Sequence, residues 1–334
     1  MKIKSLLPLI LCSLILISIG WWGSDMYKKS LNQETDLPAW NKPKPLEKYS
    51  IENLSRTLVN PVKIKIEENL FSFTFDPTLQ NKTGKKVTGL VNTPDGSGPF
   101  PIVLLIRGYV DQSIYTTGTG TKRVGEYLAE NGYITLAPDF LGYGGSDSES
   151  GNIFETRFQT YTTVLTLLKS INKENFPNWD GKNIFLWAHS NGGQIALTVL
   201  EITTEKYPTV LWAPVTENFP YSILYYTNES EDGGKYIRHE LAKFESEYDV
   251  DKYSLTKYLD RINAPIEYHL GTNDDAIPLE WRDNFLQKMK NLDVYTSGDK
   301  SFKNYNHPGA DHNMNPLWGD VVENTLKFFE NQKI

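Results

Sequence analysis

Apolar runs of strand length alternate with amphipathic helical patterns through most of this 334-residue chain. The run PIVLLIRG (101–108) is apolar on both faces, which is typical of a strand buried inside a parallel sheet. Four further runs of this kind follow, at 133–140, 183–190, 208–215 and 264–271. Because strand–helix–strand alternation implies right-handed crossovers, we predict an α/β fold with a mostly parallel central sheet and helices on both faces.

Other segments extend or interrupt this alternation. LFSFTF (70–75) and KKVTGLVN (85–92) predict two antiparallel strands ahead of the parallel core. The stretch 217–262 breaks the rhythm, and we expect it to form a small helical, cap-like insertion over the sheet. We assign the main domain to 61–334, after a proline-containing linker at 31–60.

The first thirty residues form a separate segment. MKIK supplies positive charge, and the run from Leu6 to Trp22 contains no charged residue. At about 1.5 Å of helical rise per residue, this run lies at the short end of what spans a bilayer. We predict a transmembrane anchor within 1–30, with the rest of the chain on the extracytoplasmic side. The alternative is a signal peptide cleaved near Ser18-Ile19-Gly20, which would give a secreted protein.

Composition excludes several classes of function. The formal net charge of −7 and the lack of a dense Lys/Arg run argue against nucleic acid as a partner. The single cysteine, Cys12, lies in the apolar N-terminus, so we expect neither disulfides nor thiolate chemistry in the folded domain. No residues have the spacing of a metal site or of a phosphate-binding loop, so we expect no metal and no cofactor. The oligomeric state does not follow from the sequence.

Ser190 stands where a strand-like run passes directly into a helical one, NGGQIALTVLEIT (191–203). In sheets of this type, ligands bind beyond the carboxyl ends of the strands. So abrupt a turn strains the serine backbone and needs small neighbours, here Ala188, Gly192 and Gly193. The helix N-terminus also aims unpaired N–H groups at the serine oxygen, the first being that of Asn191. We expect a nucleophile with an oxyanion site; the alternative is a small polar residue in a tight turn.

A serine nucleophile needs a base, and the chain has five histidines. Two of them, His307 and His312, lie in YNHPGADHNMNP, which we interpret as a loop at the carboxyl edge of the sheet. A base in such a loop can accept and release a proton, and we prefer His312 because it stands next to the final helix. We expect the side chain of His189 to point away from the serine, His239 to be exposed in the insertion and His269 to be packed in a strand.

A carboxylate must then hold the histidine in one tautomer. The segment HLGTNDDAIP ends a strand and supplies two acids, Asp274 and Asp275, at the same edge of the sheet. The alternative is that both acids only cap the following helix. Three separate strand ends thus carry a serine, an acid and a histidine, in the order that one fold uses for a catalytic triad.

From about residue 70 to its C-terminus, the chain resembles the α/β-hydrolase superfamily, and within it the catalytic domain of the prolyl oligopeptidase family without its β-propeller. The resemblance is carried by HSNGG, APVT, INAPIEYHLGTNDDAIP and YNHPGADH. It implies an α/β-hydrolase fold and a serine hydrolase, with Asp274 as the triad acid and His312 as the base. The segment IRGYV departs from the usual His-Gly, but the N–H of Tyr109 still fits a second oxyanion donor.

The resemblance implies cleavage of a small-molecule ester or a peptide through an acyl-enzyme. Because the chain has no room for a propeller that filters substrates, we favour a carboxylesterase over a prolyl oligopeptidase-type serine peptidase. The sequence is also compatible with an acyltransferase and with a non-catalytic binding module. The insertion offers three aromatic walls for an acyl pocket, or else a face that packs it onto the domain: Tyr221, Tyr225 and Tyr226.

Overall fold

The computed structural model describes residues 43–80, 82–292 and 301–334. Its main compact unit runs from Leu46 to Ile334. The predicted membrane segment at 1–30 lies outside the described residues, so the anchor and the location inferred from it stay predictions. Among the helices of the described ranges, none has both the length and the apolar character needed to cross a bilayer.

A single sheet organises this unit. Within the described residues its nine strands are β1 (Lys65–Glu67), β2 (Leu70–Phe75), β3 (Lys85–Asn92), β4 (Phe100–Ile106), β5 (Ile134–Pro138), β6 (Trp179–His189), β7 (Thr209–Trp212), β8 (Ile266–Gly271) and β9 (Phe302–His307). Their order across the sheet is β1-β2-β3-β5-β4-β6-β7-β8-β9. The pairs β1–β2, β2–β3 and β3–β5 are antiparallel and all other pairs are parallel. This is the mostly parallel sheet, with antiparallel strands at one side, that the apolar runs predict.

The helices follow the strands in the expected alternation. Those in the described residues are α1 (Ile51–Arg56), α2 (Lys122–Glu130), α3 (Ile153–Ser170), α4 (Asn191–Thr203), α5 (Tyr221–Tyr226), α6 (Lys235–Glu247), α7 (Leu279–Lys290) and α8 (Trp318–Gln332). Helices α1 and α3 pack on α4, while α2 meets α8 through the rings of Tyr127 and Trp318. The start of α3 is fixed by Asn152, whose side chain accepts hydrogen bonds from two backbone N–H groups of the first turn.

The segment 217–262, between β7 and β8, is helical: it contains α5, α6 and short 3-10 turns. Its inner face is aromatic. Phe219 and Phe244 pack against Phe154 and Phe158 of α3, with ring centroids 5.0 to 6.1 Å apart. Aromatic burial of this kind stabilises the attachment of an insertion, because each ring removes a large apolar area from water.

Two boundaries differ from those that the sequence predicts. The compact unit begins at Leu46, inside the segment assigned to the linker, because four apolar side chains after the prolines are buried in the core: Leu46, Tyr49, Ile51 and Leu54. At the other end, β9 continues through His307, which the sequence assigns to a loop. Its sequence, FKNYNH, is polar because β9 is the edge strand and only its last residue is buried.

Candidate active site

Ser190 occupies a strained turn between β6 and α4. Its backbone has φ 54° and ψ −124°, in the left-handed half of the map that residues other than glycine rarely adopt. Three backbone hydrogen bonds hold it there: its N–H donates to the carbonyl of Trp212 at 3.0 Å, and its carbonyl accepts from Gly193 and Val215 at 2.9 Å each. Strain that is fixed this firmly is typical of functional sites.

The turn leaves no room for larger neighbours. A Cβ atom on Gly192 would lie 2.1 Å from the carbonyl oxygen of Ile106, and one on Gly193 would lie 2.3 Å from Cβ of Pro214. Ala188, which precedes the turn in β6, is completely buried. The small residues around Ser190 are therefore required by packing, as the sequence predicts.

His312 and Asp274 form a close pair in the loops that follow β9 and β8. Nδ1 of His312 lies 2.9 Å from Oδ2 and 3.1 Å from Oδ1 of Asp274. The Asp274 side chain is fully buried, and its Oδ1 also accepts the backbone N–H groups of Ala276 and Ile277 at 2.9 Å each. The neighbouring Asp275 is exposed. Of the two candidate acids, Asp274 is thus the one that orients a histidine.

His312 contacts His189, the residue immediately before Ser190. The two imidazole rings have centroids 4.7 Å apart, and Nε2 of His189 lies 2.9 Å from the backbone carbonyl of His312. Within the described residues, Oγ of Ser190 makes no hydrogen bond. Catalytic hydrogen bonds are often long in ligand-free enzymes and form when substrate binds.

His189 is a site residue that sequence reasoning missed. Burial, together with the nearby His312 ring, lowers the pKa of His189 to about 4. The imidazole is therefore neutral at pH 7, and Nε2 must carry the proton because the carbonyl oxygen of His312 can only accept. In the sequence, only the position of His189 next to Ser190 points to a role in the site. That position does not show which groups the His189 imidazole contacts.

Two backbone N–H groups close to the Ser190 turn are the predicted oxyanion donors. Asn191 is the first residue of α4, so its N–H has no acceptor within the helix. Neither this N–H nor that of Tyr109 has an acceptor among the described residues. Gly108 brings the Tyr109 loop against the serine, since a Cβ atom on Gly108 would lie 2.8 Å from Cβ of Ser190. Both predicted donors also line one cavity.

Arg107 contacts the backbone of the loop that carries Tyr109. It is 5% exposed, and its guanidinium donates to the carbonyl oxygens of Gly108 and Asp139 at 2.9 Å each. The rings of Tyr115 and Tyr143 lie 4.6 and 4.0 Å from its Cζ atom. Cation–π contacts and two carbonyl acceptors stabilise the buried guanidinium, while its Nε atom has no hydrogen-bond partner among the described residues.

The cavity beside Tyr109 and Asn191 has a volume of about 480 Å³ and lies between the Tyr109 loop, α3 and the start of α4. None of the three tyrosines predicted as pocket walls lines it. Tyr225 and Tyr226 pack instead on Trp281, with centroids 4.9 and 5.9 Å away, and Tyr221 is 63% exposed. The hydroxyl of Tyr226 donates to the carbonyl of Ala276 at 2.9 Å. The contacts of Tyr225 and Tyr226 match the alternative, in which aromatic side chains pack the insertion onto the domain.

The remaining histidines lie elsewhere. His307 ends β9 and is 8% exposed, with Nε2 at 3.0 Å from Nδ1 of the buried His269. Burial and this second ring lower the pKa of His307 to about 4. His239 is exposed in α6. In the ranges that the structure describes, no group of three or more His, Cys, Asp or Glu residues could hold a metal ion.

Comparison with known proteins supports a hydrolase. A family model described as "Serine aminopeptidase, S33" (Hydrolase_4) matches residues 99–243, which include Tyr109 and Ser190 but end before Asp274. A curated acetyl esterase, Axe7A of Xylanibacter ruminicola, is 22% identical over 283 residues. That alignment covers 75% of this chain and only 61% of the relative, so the chain spans less than two thirds of its length.

Solved structures establish the fold. An acetyl xylan esterase from Paenibacillus sp. R4 superposes with a TM-score of 0.58 at 16% identity, covering 88% of this chain and 98% of that one. Est1E from Butyrivibrio proteoclasticus, with ferulic acid bound, gives a TM-score of 0.51 at 19% identity, covering 74% and 96%. The chain therefore has the α/β-hydrolase fold, as the sequence predicts. The finer resemblance to the prolyl oligopeptidase family stays a prediction.

Proposed function

We propose that this protein is a carboxylesterase that forms an acyl-enzyme on Ser190. The observation that carries the proposal is the His312–Asp274 pair, at 2.9 Å, in loops at the same sheet edge as the strained serine turn. A buried carboxylate that accepts from imidazole Nδ1 leaves Nε2 as the basic nitrogen. A histidine in that tautomer is what a serine nucleophile needs.

In the first step, Nε2 of His312 takes the proton from Oγ of Ser190 as the oxygen attacks the ester carbonyl. Asp274 stabilises the imidazolium that forms, and its two backbone hydrogen bonds hold the carboxylate in place. The N–H groups of Asn191 and Tyr109 bind the oxyanion, each contributing about 3 kcal/mol to transition-state stabilisation. His312 then protonates the leaving alcohol.

In the second step, water replaces the alcohol. His312 removes a proton from the water as it attacks the acyl carbonyl, and the same two N–H groups bind the second oxyanion. Ser190 leaves and recovers its proton from the imidazolium. The net reaction consumes one ester and one water, and it releases one carboxylic acid and one alcohol.

Ester rather than amide cleavage is supported by the names of two similar proteins, an acetyl esterase and an acetyl xylan esterase, and by the ferulic acid bound to Est1E. The alcohol of an ester is a better leaving group than the amine of an amide. Ester cleavage therefore depends less on protonation of the leaving group by His312. The second candidate is a serine peptidase, which the description of the matching family model favours.

The test is labelling with a fluorophosphonate probe followed by substrate comparison. We expect the wild type to be labelled and Ser190→Ala not to be, with the exposed Ser148→Ala as the matched control that labels normally. Hydrolysis of p-nitrophenyl acetate with little or no release from alanine p-nitroanilide supports the esterase. The reverse preference supports the peptidase, and labelling that survives in Ser190→Ala contradicts both.

A further inference from the structure

Arg157, in α3, contributes a charge that the proposed mechanism does not use. It lines the cavity of about 480 Å³ that also contains Tyr109 and Asn191. Its Nη2 atom donates to Oε1 of Gln194, while its Nε atom is buried and has no hydrogen-bond partner. Among the described residues, no carboxylate forms an ion pair with it. A guanidinium group is always protonated in proteins. The side chain of Arg157 therefore places a positive charge at the cavity wall without a carboxylate to compensate it.

The other charged residues of the cavity do not neutralise Arg157. Arg107 is itself a cation, so it cannot compensate the charge of Arg157. Asp111 is exposed and accepts from both the N–H and the hydroxyl of Ser113. Glu149 also lines the cavity, but its carboxylate end lies beside Gly142, and it forms no ion pair with Arg157 among the described residues. A partly buried cation without an anionic partner is costly, so the cavity is better suited to a ligand that supplies the missing negative charge.

The position of Arg157 relates it to the oxyanion site. Its partner Gln194 and the proposed donor Asn191 both belong to the first turn of α4. Arg157 and Asn191 also line the same cavity, so one small molecule bound there can contact both. The cavity volume of about 480 Å³ falls in the range of ligand pockets.

We propose that Arg157 binds a carboxylate carried by the substrate, so that the preferred esters bear a negative charge near the scissile bond. This inference rests on the proposed esterase function. Arginine suits the role because its planar guanidinium makes paired, charge-assisted hydrogen bonds to a carboxylate. The carboxylate can belong to the acyl group or to the leaving group, and the experiment separates these two sources.

The experiment compares matched esters that differ only in charge. Monomethyl adipate and methyl adipamate place a carboxylate or a carboxamide on the acyl side. The pair 4-acetoxybenzoate and 4-acetoxybenzamide places them on the leaving group. For one of the two pairs, we expect the wild type to favour the carboxylate in kcat/KM by about tenfold or more, as one charge-assisted contact provides.

The decisive variant is Arg157→Gln, which removes the charge and keeps a hydrogen-bonding side chain. We expect the carboxylate-to-carboxamide ratio to fall to about one in this variant and to be partly retained in Arg157→Lys. The exposed Arg56→Gln serves as the control and should keep the wild-type ratio. Because both substrates of a pair are hydrolysed by the same active molecules, the ratio does not depend on how much protein is folded. A wild type without preference, or an unchanged ratio in Arg157→Gln, overturns the inference while leaving the esterase proposal intact.

A binding measurement keeps the inference testable if the esterase proposal fails. Calorimetric titration of the Ser190→Ala protein with monomethyl adipate and 4-acetoxybenzoate requires no turnover. We expect tighter binding of one carboxylate than of its carboxamide analogue, and loss of that difference in the Ser190→Ala/Arg157→Gln double variant. Equal affinity for carboxylate and carboxamide in both pairs overturns the inference, whatever the labelling experiment shows.

Discussion

His189 donates a hydrogen bond from Nε2 to the backbone carbonyl of His312 at 2.9 Å, so the residue before the proposed nucleophile holds the loop of the proposed base. The contact joins the end of β6 to the loop after β9. It fixes the backbone of His312 on one side, while Asp274 fixes its imidazole on the other. We therefore predict that His189 positions His312 for the proposed reaction.

Replacing His189 should therefore lower turnover more than substrate affinity. For His189→Ala we expect kcat to fall by about 10- to 100-fold, because a small displacement of a catalytic group is costly. The KM for p-nitrophenyl acetate should change little. Steady-state kinetics on both parameters provide the measurement.

His189→Gln provides the rescue, since its amide nitrogen can replace Nε2 as the donor. We expect it to recover part of the lost kcat, whereas the exposed His239→Ala should behave as the wild type. Equal losses in His189→Ala and His189→Gln, or a loss confined to KM, would argue against a positioning role.

Asp274 and Asp275 offer a matched pair for testing the triad acid. Asp274→Asn keeps the shape of the side chain but favours the wrong tautomer of His312, so kcat should fall by about 10⁴-fold. Asp275→Asn changes an exposed neighbour and should leave kcat within about twofold. The comparison uses initial rates on one ester at pH 7.5. Loss of activity in Asp275→Asn alone would reassign the acid.

The sequence predicted the parts of this fold whose patterns are strong. β3 and α4 have the predicted bounds, because their apolar residues are buried and their ends carry clear signals. The Ser190 turn could be predicted because only small residues fit around it, and Gly192 and Gly193 are visible in the sequence. The proximity of Asp274 to His312 could be expected because both follow strands that end at one sheet edge.

Other features depend on packing that no local pattern encodes. The polar edge strand β9 lacks an apolar alternation, so its last residues were predicted as a loop. The burial of Leu46 and Tyr49 depends on partners far along the chain: the backbone N–H of Leu46 bonds the hydroxyl of Tyr248, and the Tyr49 ring packs on Phe158. Likewise, the cavity is formed by α3 and the Tyr109 loop rather than by the aromatic insertion.

Gly192 should be intolerant of any side chain. A Cβ atom there would lie 2.1 Å from a backbone oxygen that cannot move without shifting β4. We expect Gly192→Ala to lower the free energy of unfolding by about 1–3 kcal/mol and to reduce labelling of Ser190. Urea unfolding followed by tryptophan fluorescence provides the measurement.

Gly319 supplies the control, because it lies in α8 where an added Cβ atom would meet nothing within 4 Å. Gly319→Ala should raise the free energy of unfolding by about 0.5–1 kcal/mol through helix propensity. If Gly192→Ala were as stable as the wild type, the close packing around the turn would be contradicted.

His307 should make folding stability depend on pH between about 6.5 and 4. Burial, with the His269 ring beside it, lowers the pKa of His307 from 6.5 to about 4. In that window the unfolded chain binds a proton that the folded chain does not, so the free energy of unfolding falls as the pH falls. The loss of unfolding free energy attributable to His307 should reach about 3 kcal/mol by pH 4.

His307→Gln, which retains a polar contact with His269 but cannot titrate, should show a correspondingly weaker pH dependence of the unfolding free energy, measured by urea unfolding at pH 7, 6, 5 and 4. Other groups titrate in both proteins, so the difference between the two curves is the quantity that reports on His307, and parallel curves would contradict its lowered pKa.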